Sequence, residues 1–387
     1  FVEYVQPQSI LPWLDFLPWA QVFVLGALFG LLMDQDKKWV KSPINKWIVL
    51  FFLSILWSTW NAQFPEWSYK NLANFYNWLI IYFLIINIVT TPERLLFFLA
   101  IFCVASFKIS FSLALSWAMR GFSFTSWGLK GPPGFFENSG ELAIQMAVFW
   151  PISLGVALAI KTSVPKWKQW LLLLMPITAV MVILGASSRG AQLAFMGQAF
   201  FKFSRKIFRF KVIFIILFLG LAIWKVLPDE QKNRFEKIGD DKTSEQRLLY
   251  WEHGLEMMNA YPWTGVGYFN FIPYYEMYYS EDVLYEKAEL AHNIFVQVGA
   301  DLGWVGLFIY LLMLMSCTNK TRKLIRFHNS NKDSPLLKIA FYLNTSLAGF
   351  VIAGQFVSVL FYPFLWIHMA ITVCFATSLN YIELTRS

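Results

Sequence analysis

Residues 362–381 read YPFLWIHMAITVCFATSLNY, and no Asp, Glu, Lys or Arg occurs among them. The stretch 71–89, NLANFYNWLIIYFLIINIV, is equally free of charge. Runs of about 18 or more such residues match the hydrocarbon thickness of a bilayer when they are helical. Inside hydrocarbon the backbone must bond to itself, which leaves helices or a closed barrel. Barrel strands would alternate apolar and polar residues, and these runs do not. The chain is 57% hydrophobic and only 14% charged, against about one quarter charged in soluble domains. These features define an all-α polytopic membrane protein and exclude a soluble one.

Eleven spans are expected. The first eight lie near 14–33, 47–60, 71–89, 94–118, 140–160, 167–186, 190–203 and 212–227, and the last three near 291–316, 336–360 and 362–381. The net charge of +8 does not point to nucleic acid, because the cations sit in short loops between apolar runs. Lys37, Lys38, Lys41 and Lys46 follow the first span, and Lys161, Lys166 and Lys168 the fifth. Lys202, Arg205, Lys206, Arg209 and Lys211 follow the seventh, and Lys320, Arg322, Lys323, Arg326, Lys332 and Lys338 the ninth. Short cytoplasmic loops concentrate Lys and Arg, so these alternate loops are assigned to the cytoplasm. The segment 228–290 and Phe1 then lie outside. Polytopic chains often start inside, so a twelfth span is expected before Phe1. The organisation is therefore 1–227 with spans one to eight, 228–290 as one large extracytoplasmic loop, and 291–387 with spans nine to eleven.

Cys103, Cys317 and Cys374 fall inside apolar runs and read as small hydrophobes, with neither disulfide nor metal spacing. The 228–290 segment holds eight of the sixteen tyrosines, among them Tyr268 and Tyr274. Tyrosine favours membrane interfaces, but a flat ring with a hydroxyl also suits a sugar face. Both readings stand, and Tyr268 and Tyr274 are the candidates for sugar contact.

Charges at membrane depth are costly and need a reason. Arg189, in GASSRGAQLAF, stands where the seventh span begins. It reads either as a snorkelling helix-end arginine or as an anion site aided by helix N-terminal amides and by Ser187 and Ser188. Arg247 lies on a helix expected over 244–259, with Leu248, Trp251, Leu255 and Met258 at helical spacing, and by itself reads as a surface ion pair with Glu245 or a nearby acid. The following PWTGVGYFNF is a glycine-punctuated turn that permits close backbone approach to a ligand. His292 opens the ninth span. The topology brings Arg189, Arg247 and His292 to one face from three separate segments. Asp301, nine residues beyond His292 in a small-residue stretch, reads as the partner of an intramembrane cation. Lys108 lies in the outer half of the fourth span and either snorkels or shares a cavity with Arg189. His368 reads as a packed structural histidine.

Four segments together carry a resemblance: GPPGFFENSGELA at 131–143, SSRGAQLAF at 187–195, RLLYWEHGLEMMNAYPWTGVGYFNF at 247–271 and AHNIFVQVGADLGWVGL at 291–307. The chain resembles the O-antigen ligase and polymerase superfamily over about 50–316. It is most similar to the ligase-like branch associated with exosortase gene clusters. The resemblance implies a GT-C type helical bundle in the bacterial inner membrane, with the active site facing outside. It implies a metal-independent, inverting glycosyltransferase without cofactors. The donor would be a glycan on undecaprenyl diphosphate, and the acceptor a hydroxyl of a glycan, lipid or protein. Arg189, Arg247 and His292 match the family's two arginines and its histidine. Lys108, Lys130, Ser188, Asn293, Tyr268 and Tyr274 are the further candidate substrate contacts. Relatives often carry two asparagines where this chain has Asn138 and Ser139. A polymerase, with a second lipid-linked glycan as acceptor, is the alternative within the class. An anion or lipid-linked glycan transporter is the alternative outside it, although no paired half-repeats are seen.

Overall fold

A computed structural model describes residues 2–35, 39–124, 128–207, 225, 242–327 and 334–384. Twelve helices carry the architecture. They are α1 Trp19–Met33, α2 Pro43–Trp60, α3 Ala73–Ile88, α4 Pro92–Met119, α5 Ser139–Ile160, α6 Lys166–Gly185, α7 Arg189–Ile207, α8 Lys242–Ala260, α9 Phe271–Tyr278, α10 Ile294–Phe327, α11 Leu343–Ala353 and α12 Pro363–Leu384. Shorter turns join them, and the described residues contain no strand.

Several helices start where the local sequence dictates. Pro43, Pro92 and Pro363 each stand at the first helical position, where a missing N–H is no loss and the fixed φ suits the helix. Ser42 and Thr91 cap two of these starts by accepting from the backbone N–H of Ile44 and Arg94.

Seven helices among the described residues are long and apolar enough to cross a membrane: Pro65–Ile88, Pro92–Met119, Ser139–Ile160, Lys166–Gly185, Ile294–Arg326, Pro335–Ala353 and Pro363–Tyr381. The spans expected near 14–33, 47–60 and 190–203 fall on α1, α2 and α7. Of these, α1 is apolar but only 15 residues long. The span expected at 212–227 lies outside the described residues, apart from Lys225. The span expected at 336–360 ends at Ala353, and a non-helical loop covers 354–362. Its apolar residues, Phe356, Val357, Val359, Leu360 and Phe361, made it read as membrane-embedded. Val359, Leu360 and Phe361 are instead buried by protein.

The centre of the bundle is α5, whose residues from Glu141 to Ser153 are all buried. Proline at position 151 has no N–H for the carbonyl of Ala147. The side chain of Gln198 on α7 supplies the donor: Nε2 lies 2.8 Å from Ala147 O and 2.8 Å from Thr345 O, while Oε1 accepts from Trp150 Nε1 at 2.7 Å. Ser346 adds a bond from Oγ to Val148 O at 2.7 Å. Three helices, α5, α7 and α11, are thus locked by polar bonds at a depth where water is absent. His368 joins this region as the expected structural histidine, buried with Nδ1 3.3 Å from Ser346 Oγ.

One end of the bundle gathers the loops assigned to the outside. Leu129 N–H donates to Gly185 O, Gln63 N–H to Val266 O, Gln6 Nε2 to Pro133 O and His292 N–H to Ser358 Oγ. Gly190 packed on Phe356 and Phe361 packed on Tyr268 and Phe269 join these pairs, so the turns near 62, 130, 186, 266, 292 and 358 form one continuous cap.

The described part of the outer segment is anchored in a break of α10. Gly303 has φ 70° and ψ −175°, which interrupts the helix. The turn Pro262–Val266 fills the gap. Val266 N–H donates to Ala300 O and Trp304 N–H to Pro262 O, while Ser58 Oγ donates to Asp301 O. A Cβ on Gly265 would collide with the backbone of Asp301, and one on Gly303 with Pro262 O at 2.6 Å. The glycines of PWTGVG thus permit close approach to a broken helix, where the sequence had suggested a ligand.

Asp301 is corrected in the same way. It is fully buried, and Oδ1 accepts from Phe271 N–H at 3.0 Å. Its carboxylate therefore fixes the start of α9, where the sequence had suggested pairing with a cation. On α8 the buried face is Gln246, Tyr250, Gly254, Met257 and Met258. Of the face expected from spacing, Met258 is buried and Leu248 and Leu255 are exposed.

Candidate functional site

His292 sits in a connector, two residues before α10, with the unusual φ of 51°. A positive φ in a non-glycine residue costs on the order of 1–3 kcal/mol and persists only when its surroundings impose it. The surroundings here are explicit. His292 N–H donates to Ser358 Oγ at 2.9 Å, and Ile294 N–H donates to Gly354 O at 2.8 Å. The indole of Trp251 on α8 donates to Ala291 O at 2.9 Å. Asn293 is buried, and its Oδ1 accepts from Phe295 N–H at 2.9 Å and Val296 N–H at 3.3 Å. Its side chain caps α10 and aims His292.

Arg247 reaches the same place from α8. It lies one turn before Tyr250 and Trp251, on their side of the helix. Tyr250 Oη accepts from Glu289 N–H at 2.8 Å. The carboxylate of Glu289 lies 2.9 Å (Oε2) from His292 Nε2. The hydrogen bond from His292 holds Glu289 below the usual carboxylate range against its partial burial, and attraction from His292, Lys287 and Arg247 adds to that. Arg247 and His292 therefore converge on one carboxylate that the sequence reading missed. Nothing in the sequence separates Glu289 from its neighbours Glu281 and Glu286. Only the fold brings one of the three beside His292 and within the field of Arg247.

The side chains of His292 and Glu289 are 28% and 56% exposed. A polar contact that open contributes at most about 0.2–1 kcal/mol, so its importance lies in the site's arrangement and not in stability.

Arg189 begins α7, half-buried, two residues after Ser187, whose φ of 56° is again positive. Gly190 packs so closely on Phe356 that a Cβ would lie 2.6 Å from that side chain. The loop 354–358 is thus touched by α7 beside Arg189 and by the connector at His292. Lys130 is exposed on the loop whose Leu129 bonds to Gly185, close in sequence to Arg189's turn. Ser188 is half-buried in that turn, and its carbonyl accepts from Gln192 N–H at 3.0 Å.

The remaining candidates are placed elsewhere. Lys108 is exposed and donates from Nζ to Val5 O at 3.2 Å, which ties α4 to the N-terminal turn. Tyr268 is fully buried, and its hydroxyl donates to Asn71 O at 3.1 Å. Tyr274 is 8% exposed and packs against Tyr261 and Tyr278. These two tyrosines anchor the outer segment through packing. Among the described residues no group of three His, Cys, Asp or Glu side chains could hold a metal ion.

A cavity of about 810 Å³ opens beside the connector. Leu290, Gln297 and Ser358 form its end nearest His292, and Ala20, Leu25 and Ile81 are part of its apolar wall between α1 and α3. Its lining is mostly apolar, with Gln21, Asn74 and Asn77 on α1 and α3 and Gln297 and Ser358 near the connector as polar members.

The helices and this cap define a polytopic helical membrane protein with a charged site at one end. Residues 172–311 match the family model described as O-antigen ligase. The match supports the O-antigen ligase superfamily and, with it, a membrane enzyme of ligase or polymerase type. It contains Arg189, Arg247 and His292, whereas Lys108 and Lys130 lie outside it. No curated protein matches the chain.

Proposed function

We propose that this protein transfers a preassembled glycan from undecaprenyl diphosphate to an acceptor hydroxyl on the outer face of the bacterial inner membrane. The observation that carries this reading is His292 bonded to Glu289 with Arg247 acting on the same carboxylate, next to a mostly apolar cavity that reaches Leu290 and Ser358 on either side of the connector. A lipid-linked diphosphate combines an anionic head that suits arginines with an apolar tail that suits the wall between α1 and α3.

In the proposed step the acceptor oxygen attacks the anomeric carbon from the side opposite the diphosphate. The new C–O bond forms as the bond to the phosphate oxygen breaks, which inverts the centre. The departing diphosphate keeps the electron pair and gains negative charge. Arg189 and Arg247 stabilise that charge by bidentate, permanently ionised contacts. The imidazole of His292 takes the acceptor's proton, a role worth about a hundred- to ten-thousandfold in rate.

The test is transfer by the purified protein from a lipid-linked glycan donor, with Arg189→Ala, Arg247→Ala and His292→Ala compared at equal protein level. The arginine variants should lose donor affinity and rate together. His292→Ala should keep donor affinity and lose single-turnover rate. Full activity in both arginine variants would refute the diphosphate site, and a normal rate for His292→Ala at saturating donor would remove that residue from the step. Lengthening of the lipid-linked glycan in place of transfer to another acceptor would identify a polymerase.

A further inference from the structure

Glu289 poses a problem for this reading. A carboxylate stands where the proposed site needs an anion from the donor. One resolution is that Glu289 orients His292, as acidic residues orient catalytic histidines. Such a carboxylate is normally buried and bonded to one partner. Glu289 bonds to His292, but its side chain is 56% exposed, and the charges of Lys287 and Arg247 also attract it.

The backbone and the side chain of Glu289 are held very differently. Ala288 N–H donates to Glu276 Oε1 at 3.2 Å, Glu289 N–H to Tyr250 Oη at 2.8 Å, and Ala291 O accepts from Trp251 at 2.9 Å. The main chain is thus pinned from α8 and α9 on both sides of the residue. The carboxylate is half exposed and can rotate away without leaving a buried charge unpaired.

We propose that Glu289 is an internal counter-anion, occupying the cationic position that the donor's diphosphate takes, and that the diphosphate displaces its carboxylate on binding. Glu289 offsets the positive charge of Arg247 beside His292 in the empty site. It also sets a threshold, since only an anion held at this position more strongly than one carboxylate will seat. The inference rests on the diphosphate reading of Arg247 and His292.

The experiment measures binding of inorganic pyrophosphate to the full chain in detergent micelles at low ionic strength. Wild type is compared with Glu289→Gln, Glu289→Ala, Arg247→Ala and the control Glu286→Gln, with the thermal midpoint of each recorded. Both Glu289 variants should bind pyrophosphate about three- to tenfold more tightly, the change that relief of one or two half-exposed ion pairs supplies. Glu286→Gln removes the same charge three residues away and should stay within about twofold. The gain should shrink near 1 M salt, where the Debye length is about 3 Å.

Equal affinity in wild type and the Glu289 variants, with Arg247→Ala weakened, would overturn the counter-anion role and leave the diphosphate site standing. Unchanged or weaker binding with slower transfer in Glu289→Gln would overturn it in favour of an orienting role. Pyrophosphate binding that is indifferent to Arg247→Ala would overturn both this inference and the reading beneath it.

Discussion

Gln198 completes a bond that Pro151 leaves open: its Nε2 lies 2.8 Å from the carbonyl of Ala147, the residue whose helical donor would have been position 151. The two residues are on different helices and are coupled through that one carbonyl. Gln198→Leu should therefore leave Ala147 O, Thr345 O and the Trp150 indole without donor or acceptor. At roughly 0.6–1.7 kcal/mol for each bond in a membrane protein, the loss should lower the thermal midpoint in detergent clearly. Pro151→Ala restores a backbone N–H, so the double variant should be less destabilised than the sum of the two single changes. Strict additivity would show that the carbonyl is not the point of coupling.

Asp301 offers a second test. Its Oδ1 holds the N–H of Phe271 in a fully buried setting. Asp301→Asn keeps a side-chain oxygen that can accept this bond, whereas Asp301→Ala leaves the donor unpaired at a cost of about 1–3 kcal/mol. Limited proteolysis should cut the 261–293 region faster in the alanine variant than in the asparagine variant. The reverse order would contradict the role assigned to Asp301.

The break in α10 depends on Gly303. At φ 70° an alanine carries a left-handed penalty of roughly 1–2 kcal/mol, and its Cβ would also meet Pro262 O. Gly303→Ala should lower the thermal midpoint and loosen the outer segment more than Gly26→Ala on α1, where a Cβ meets nothing. Equal effects at the two glycines would argue against the break.

Acid should weaken the outer segment in a definable window. Glu289 is held below the usual carboxylate range chiefly by the hydrogen bond from His292, and Glu256 chiefly by the one from His253. A carboxylate whose folded pKa is depressed stabilises fully above its unfolded value. That contribution is lost as pH falls through the folded one. The thermal midpoint should hold from pH 7 to about 5.5 and fall below about 4.3, the unperturbed glutamate value. Glu289→Gln and Glu256→Gln should each flatten part of that fall. An unchanged acid limb in both variants would exclude these pairs as its source.

The sequence by itself determined the class of this protein, because hydrocarbon admits so few backbone arrangements. Long uncharged runs such as 362–381 had to be helices. It also put Arg189, Arg247 and His292 forward, since polar and basic groups near a membrane need a reason to be there. It could not separate Glu289 from Glu281 and Glu286, because all three are exposed-segment acids until α8 brings Arg247 and Tyr250 beside one of them. It read residues 354–360 as membrane span, because burial by protein and burial by lipid select the same apolar side chains. It offered a ligand for the PWTGVG glycines and a cation for Asp301, because a glycine's close approach and a carboxylate's partner are set by whatever segment packs there. In this chain that segment is its own backbone, across a break in α10 held open by Gly303 at φ 70°. Tertiary structure decided these points because each rests on contacts between residues far apart in the chain.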